Sequence, residues 1–162
     1  MVQTSFQQES LPPALESGDR LNRYEFERRY NAMHSLQKAE LIEGVVYLPA
    51  ALRFRSHAEP HGNLIGWLWT YKISTPRVEL GDNPTVRLDL DNLPQPDAVL
   101  LIDENAGGQA RLSEDDYIEG APELVAEVAA SSVAIDLHDK KRAYRHNGVQ
   151  EYIVLQVVLI VY

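Results

Sequence analysis

The chain has 162 residues, a formal net charge of −9 and no cysteine. That length suits one domain with a core of its own, and the balance of apolar and charged residues is that of a globular protein. No apolar stretch reaches the ~20 residues of a membrane span, and a disulfide framework and thiol chemistry are both excluded, which is compatible with a cytoplasmic location.

Residues 1–18 carry Gln, Ser and two prolines and read as a loosely ordered leader. There is no basic start followed by an apolar core, so no signal peptide is expected. Residues 19–162 read as a single domain. The pattern predicts a helix from Asp19 to His34, with Asp19 as its cap. Leu21, Tyr24 and Arg28 are spaced for one face, and Phe26 and Tyr30 are four apart. Leu41–Leu48 alternates and is rich in Val, Ile and Tyr, which predicts a strand with a bulge or close backbone approach at Gly44. Arg53–Arg55 reads as a short strand or a loop.

Ser56–Ile73 predicts the second helix, with Ser56 as cap and Pro60 in the first turn. Leu64, Leu68 and Tyr71 form a stripe, with Ile65 and Trp69 beside it. His57 and His61 have metal-ligand spacing, but no glutamate of the zincin arrangement lies between them and no third ligand follows. They read better as polar or hydrogen-bonding histidines. Val78–Leu80 and Val86–Leu90 predict strands separated by the turn signal Gly81-Asp82-Asn83-Pro84.

Pro96-Asp97 then opens Ala98–Ile102, apolar on both faces and hence a central strand. Residues 103–120 read as an exposed loop, with a short turn of helix around Tyr117. Glu123–Ala129 predicts a strand on which Glu123, Val125, Glu127 and Ala129 share a face. A helix capped by Ser131-Ser132 runs to about Asn147, with Gly148 at its C′ position. Asp136, Lys140 and Tyr144 share one of its faces. Glu151–Tyr162 is a continuous apolar run and predicts a buried strand.

The stretch from Asp97 to Lys140 carries the chemistry. An acid inside an apolar strand is costly to bury unless it is paired or binds a metal, and Glu127 fits that description. Two short strands that each present a carboxylate, Asp97 and Glu127, followed by Lys140, can form a divalent-metal hydrolase site. Taken singly, each residue has a plainer reading: a loop end, a solvated strand face, a surface charge.

The ordered set Pro96-Asp97, Glu123-Leu-Val-Ala-Glu127-Val, Asp136-x-x-x-Lys140-x-x-x-Tyr144 and Gly148-Val-x-Glu-Tyr152-Ile-Val resembles the Uma-two family, classed as restriction endonucleases within the PD-(D/E)XK nuclease superfamily. Glu40-Leu-Ile-Glu43-Gly44 resembles the family's first strand, and the match covers roughly residues 20 to 155. The resemblance implies an α/β fold, with a restriction-endonuclease-like mixed central sheet flanked by helices. It also implies cleavage of DNA with Mg²⁺ or Mn²⁺ held by Asp97 and Glu127. Glu40, at the end of the first helix, would be an outer acid. The superfamily lysine usually lies two residues after the second acid; here that place is Ala129, and Lys140 would replace it. The family also tends to place a histidine at the start of the second helix, which would bring His61 near the site. Cleavage of both strands implies a homodimer. Relatives usually continue beyond the last strand, so a C-terminal truncation with an open sheet edge is expected.

The charge of −9 argues against tight nonspecific DNA binding. The cluster Lys140, Lys141, Arg142 and Arg145 is either a basic patch or a solvated face. A catalytically inactive nuclease-fold binding module is the alternative function, and a hydrolase of another phosphorylated or small substrate is a third.

Overall fold

The structure is a computed structural model that describes residues 11–35, 38–130 and 132–157. Its first helix, α1 (Arg23–Ala32), starts later than the pattern suggests. Asn22 caps it, its side chain accepting from the Glu25 N–H at 3.0 Å, whereas Asp19 accepts from the Glu16 N–H. Phe26 is buried and stacks on Tyr30, while Tyr24 is exposed, so the Phe26 side of the helix is the inner one. Residues 1–10 of the expected leader lie outside the described part. Leu15 is buried against Phe26, Leu41 and Val46, and the Ser17 hydroxyl accepts from the Leu48 N–H.

The strand expected over Leu41–Leu48 is a hairpin of β1 (Glu40–Ile42) and β2 (Val45–Tyr47), with Glu40 opposite Tyr47. Glu43 and Gly44 form its turn at φ 50° and 73°, left-handed at both positions, as the twist of a two-residue hairpin requires. Gly44 therefore reverses the chain and does not bulge it. Glu40 accordingly begins a strand and does not end the first helix.

A wide π-helical turn, Phe54–Ala58, leads into α2 (Glu59–Ser74). Ser56 lies inside that turn and caps nothing, and the alternative of a strand at Arg53–Arg55 is not taken up. Pro60 sits in the first α-helical turn, where its missing N–H is harmless. Leu64 and Leu68 are buried, but Trp69 and Tyr71 are exposed, so the stripe is narrower than expected.

β3 (Val78–Asp82) runs through Gly81 and Asp82, and the chain turns only at Asn83, with φ 52°. β4 (Val86–Arg87) is short, and β5 (Ala98–Ile102) follows. The stretch 103–120, expected to be loop, holds a 3-10 turn at Glu104–Ala106 and two short strands, β6 (Arg111–Leu112) and β7 (Ile118–Glu119). Tyr117 is not helical. Then come β8 (Leu124–Ala129), a second π-helical turn (Ile135–Lys140), α3 (Lys141–Asn147) and β9 (Glu151–Gln156). Gly148, at φ 89°, closes α3 in the left-handed conformation expected of it.

The main sheet has the order β3-β5-β8-β9, antiparallel except for the parallel pair β8/β9. β5 is central, as its two apolar faces require. β9 is at the edge and only half-buried, because a strand with one neighbour is covered less well than the apolar run alone suggests. Residues 158–162 of that run lie outside the described part. On one sheet face Leu64 and Leu68 of α2 pack against Ala98, Leu100, Ala126 and Val128. On the other, Val99, Leu101 and Val125 meet Tyr144 of α3 and the small sheet β4-β7-β6 through Val86 and Ile118. The α/β class, a mixed sheet flanked by helices in the restriction-endonuclease-like arrangement, is thus the one the sequence implies.

Candidate active site

The register of the central strands builds the site. Ala98 of β5 lies opposite Ala126 of β8, so Asp97 and Glu127 stand side by side at one end of the pair. Asp97 Oδ2 accepts from the Val128 N–H at 2.7 Å, which ties the entry of β5 to β8. Period-two alternation puts Glu127 on the face of Val125, toward α3.

The turn before α3 supplies the rest. Asp136, Lys140 and Tyr144 are one helical turn apart, and all three are buried against the sheet. Lys140 Nζ lies 2.9 Å from Glu127 Oε1, 2.9 Å from Glu40 Oε1 and 3.6 Å from Asp136 Oδ1. The Tyr144 hydroxyl donates to Glu127 Oε1 at 2.9 Å. Glu40 Oε1 also accepts from the Gln95 N–H at 2.8 Å, and the Ser132 hydroxyl donates to Asp136 Oδ2. Ser131, expected to share in capping this helix, lies outside the described residues.

The electrostatics follow from the count of groups. Glu40, Glu127 and Asp136 surround one ammonium, and Asp97 adds a fourth carboxylate close by. Burial pushes the Glu127 carboxyl up to about 8; Lys140 opposes this, while Glu40, Asp97 and Asp136 reinforce it. Burial also raises Asp136, against the pull of Lys140 and the Ser132 hydrogen bond. For Lys140 burial alone would lower the pKa, but the carboxylates of Glu127, Glu40 and Asp136 together outweigh it and hold the ammonium well above its usual value. The shifts of Glu127 and Lys140 express one fact. Negative charge is in surplus, so the lysine stays charged and Glu127 resists ionisation.

That surplus bears on a metal. Asp136 Oδ1 is buried and has no hydrogen-bond partner among the described residues. All the donors are carboxylate oxygens, which suit a hard divalent cation. Among the described residues no three His, Asp or Glu groups converge as a preformed cage. The donor set therefore fits Mg²⁺ held in the manner common for that ion, by one or two carboxylates with water and phosphate completing the shell.

Two histidines, His57 of the π-helical turn and His61 of α2, also reach Asp97. His57 Nε2 is 3.5 Å from Asp97 Oδ1, and His61 Nε2 is 3.0 Å from the Asp97 carbonyl oxygen, so that His61 nitrogen carries hydrogen. His61 Nε2 also lies 3.2 Å from Asp82 Oδ1, and Lys38 Nζ is 3.8 Å from Asp97 Oδ1. His61 thus serves as a hydrogen-bonding group and His57 as a polar neighbour of the Asp97 carboxylate. The contact of His57 is not foreseen by the sequence, where its only signal is the spacing with His61 at a helix start. The basic cluster divides. Lys140 is buried, Arg142 is exposed and bound to Glu43 and Asp139, and Lys141 and Arg145 are exposed. Of the acids of the loop 103–120, Asp115 and Glu119 face Arg87.

The model of the Uma2 family, described as "Putative restriction endonuclease", matches residues 23–158. A crystal structure of a "putative nuclease belonging to DUF820" from Anabaena variabilis ATCC 29413 is similar with a TM-score of 0.56 and 14% identity, covering 78% of this chain and 72% of that one. At that identity the likeness speaks for the fold. No curated protein matches. The match spans all of the helices and strands described above, and the chain belongs to the Uma2 family of restriction-endonuclease-like proteins.

Proposed function

We propose that the chain is a metal-dependent endonuclease that hydrolyses DNA phosphodiester bonds. The observation that carries this reading is the buried cluster of Glu127, Glu40 and Asp136 around Lys140, with Asp97 beside Glu127, an excess of hard oxygen donors that a divalent cation would offset. Bound Mg²⁺ or Mn²⁺ would polarise the phosphate and supply a water of lowered pKa at neutral pH. Asp97 and Glu127 would hold it, Asp97 being oriented by the Val128 N–H. Lys140 has three N–H donors, and Glu40, Glu127 and Asp136 stand around them. Its part is to keep Glu127 aimed and to place positive charge where negative charge grows on the attacked phosphate. Glu40 and Asp136 act through Lys140 as positioning residues. A two-fold dimer would offer one such centre to each DNA strand.

Calorimetric titration with Mn²⁺ tests this without knowledge of the target sequence. Wild type is expected to bind, and Asp97→Ala and Glu127→Ala are each expected to lose at least tenfold in affinity. A folded wild type that binds no Mn²⁺ overturns the reading in favour of a non-catalytic module.

A further inference from the structure

Only one oxygen of the Asp97 carboxylate is tied down. Oδ2 accepts from the Val128 N–H at 2.7 Å, which fixes the group to β8. Oδ1 faces His57 Nε2 at 3.5 Å and Lys38 Nζ at 3.8 Å, separations at or beyond the limit of a hydrogen bond. Oδ1 is therefore the oxygen left for a metal. The two groups that face it differ in freedom. The His57 side chain is 12% exposed and lies against the His61 ring, with 5.6 Å between ring centres. The Lys38 side chain is 26% exposed, and its ammonium ends a long flexible stem. Lys140 has no such freedom. Its side chain is 5% exposed, and Glu127, Glu40 and Asp136 stand around its N–H donors. It sets positive charge behind Glu127 but is closed to direct contact with a substrate.

We infer that Lys38 is the lysine of this site that touches the substrate: its ammonium, which faces Asp97 Oδ1, contacts a phosphate oxygen of the DNA once Oδ1 is given to a metal. The inference rests on the endonuclease reading and adds to it the group that meets the phosphodiester. The reason is electrostatic. With Oδ1 given to a divalent cation, an ammonium 3.8 Å from that oxygen faces like charge where it had faced unlike charge. A phosphodiester is the anion that gives it a partner again. Lys38 thus opposes a metal bound alone and favours a metal bound together with DNA. Such a coupling between two ligands is reciprocal, so the metal strengthens DNA binding through the same lysine.

The distribution of charge around Asp97 supports the arrival of a phosphate there. The chain carries −9, yet the run from Gly44 to Ala58 contains no acid and holds Arg53, Arg55 and His57. That run ends in the π-helical turn that brings His57 to Asp97. The Arg53 carbonyl accepts from the His57 N–H at 3.0 Å and from the Ala58 N–H at 3.2 Å, so exposed Arg53 is anchored to the same turn. Arg55 is also exposed, although Glu59 pairs with it at 2.8 Å. Cations are thus gathered where Lys38 and His57 approach Asp97, whereas acids enclose Lys140.

Two titrations of the full chain test the inference: Mn²⁺ by calorimetry, and a mixed-sequence DNA duplex by gel shift at saturating Mn²⁺ or Ca²⁺. Lys38→Met keeps an unbranched stem and removes the charge. It is expected to bind Mn²⁺ as tightly as wild type or several-fold more tightly, yet to lose at least tenfold in metal-dependent duplex affinity. Its slope of log affinity against log salt should be shallower by about 1, as for the loss of one phosphate contact. Lys38→Arg should recover most of the duplex affinity. If wild type binds Mn²⁺ and Lys38→Met retains the duplex as wild type does, this inference is overturned and the endonuclease reading stands. A parallel fall in Mn²⁺ affinity, melting temperature and duplex affinity also overturns it, because that is the mark of a residue that only braces Asp97. A folded wild type that binds no Mn²⁺ overturns both.

Discussion

Glu127 is the residue on which the electrostatics turn. Its carboxyl titrates at 4.5 in an unstructured chain and is pushed up to about 8 in the fold. The folded state therefore binds the proton more tightly than the unfolded state. Stability linked to this group is fully present below 4.5 and is lost as pH rises toward 8. In EDTA the melting temperature of wild type is expected to fall across that window, while Glu127→Gln, which cannot ionise, should lack this fall. Equal slopes in the two proteins would show that Glu127 does not carry the linkage. The sequence marks Glu127 because an acid amid Leu124, Val125, Ala126 and Val128 is costly to bury without a partner or a metal, and it marks Lys140 because Asp136 and Tyr144 share its face. It does not show that Glu40 would also stand at Lys140, since a partner 100 residues away is brought there only by packing.

Among the elements, α2 links the core to the site. Its buried face grips the sheet through Leu64 and Leu68, and its first turn and the π-helical turn before it bring His61 and His57 to Asp97. Leu68 is 2% exposed and surrounded by apolar side chains, so Leu68→Ala should cost about 2–5 kcal/mol. Chemical denaturation measures this, and a cost below about 1 kcal/mol would mean that the helix is not held by this contact. Periodicity revealed the helices and the two central strands, because one-sided burial repeats at the period of each element. It failed at Leu41–Leu48, where Glu43-Gly44 makes a hairpin turn without the Asn-Gly or Asp-Gly signal. It failed again at 103–120, where the two-residue strands β6 and β7 are too short for any period to show.

On the scale of the whole molecule, charge governs DNA binding. With −9 overall and Arg142 and Arg87 already engaged by acids, the surface has few cations to release counterions from phosphate. Retention of duplex DNA should therefore be weak in EDTA and should rise with Mn²⁺ or Ca²⁺, an effect absent in Asp97→Ala. Gel-shift assays at low and moderate salt report this, and tight metal-independent binding would contradict it. No helix among the described residues is long and apolar enough to cross a membrane. The ordered motifs along the chain sufficed for the fold class and the family through their resemblance to it, and the period of burial marked the strands β5 and β8 beside which Asp97 and Glu127 are found. The pairing of Lys140 with Glu40, the approach of His57 to Asp97 and the open face of α2 were decided by how the elements pack. Contacts between residues far apart along the chain depend on register and crossing geometry, which no local pattern encodes.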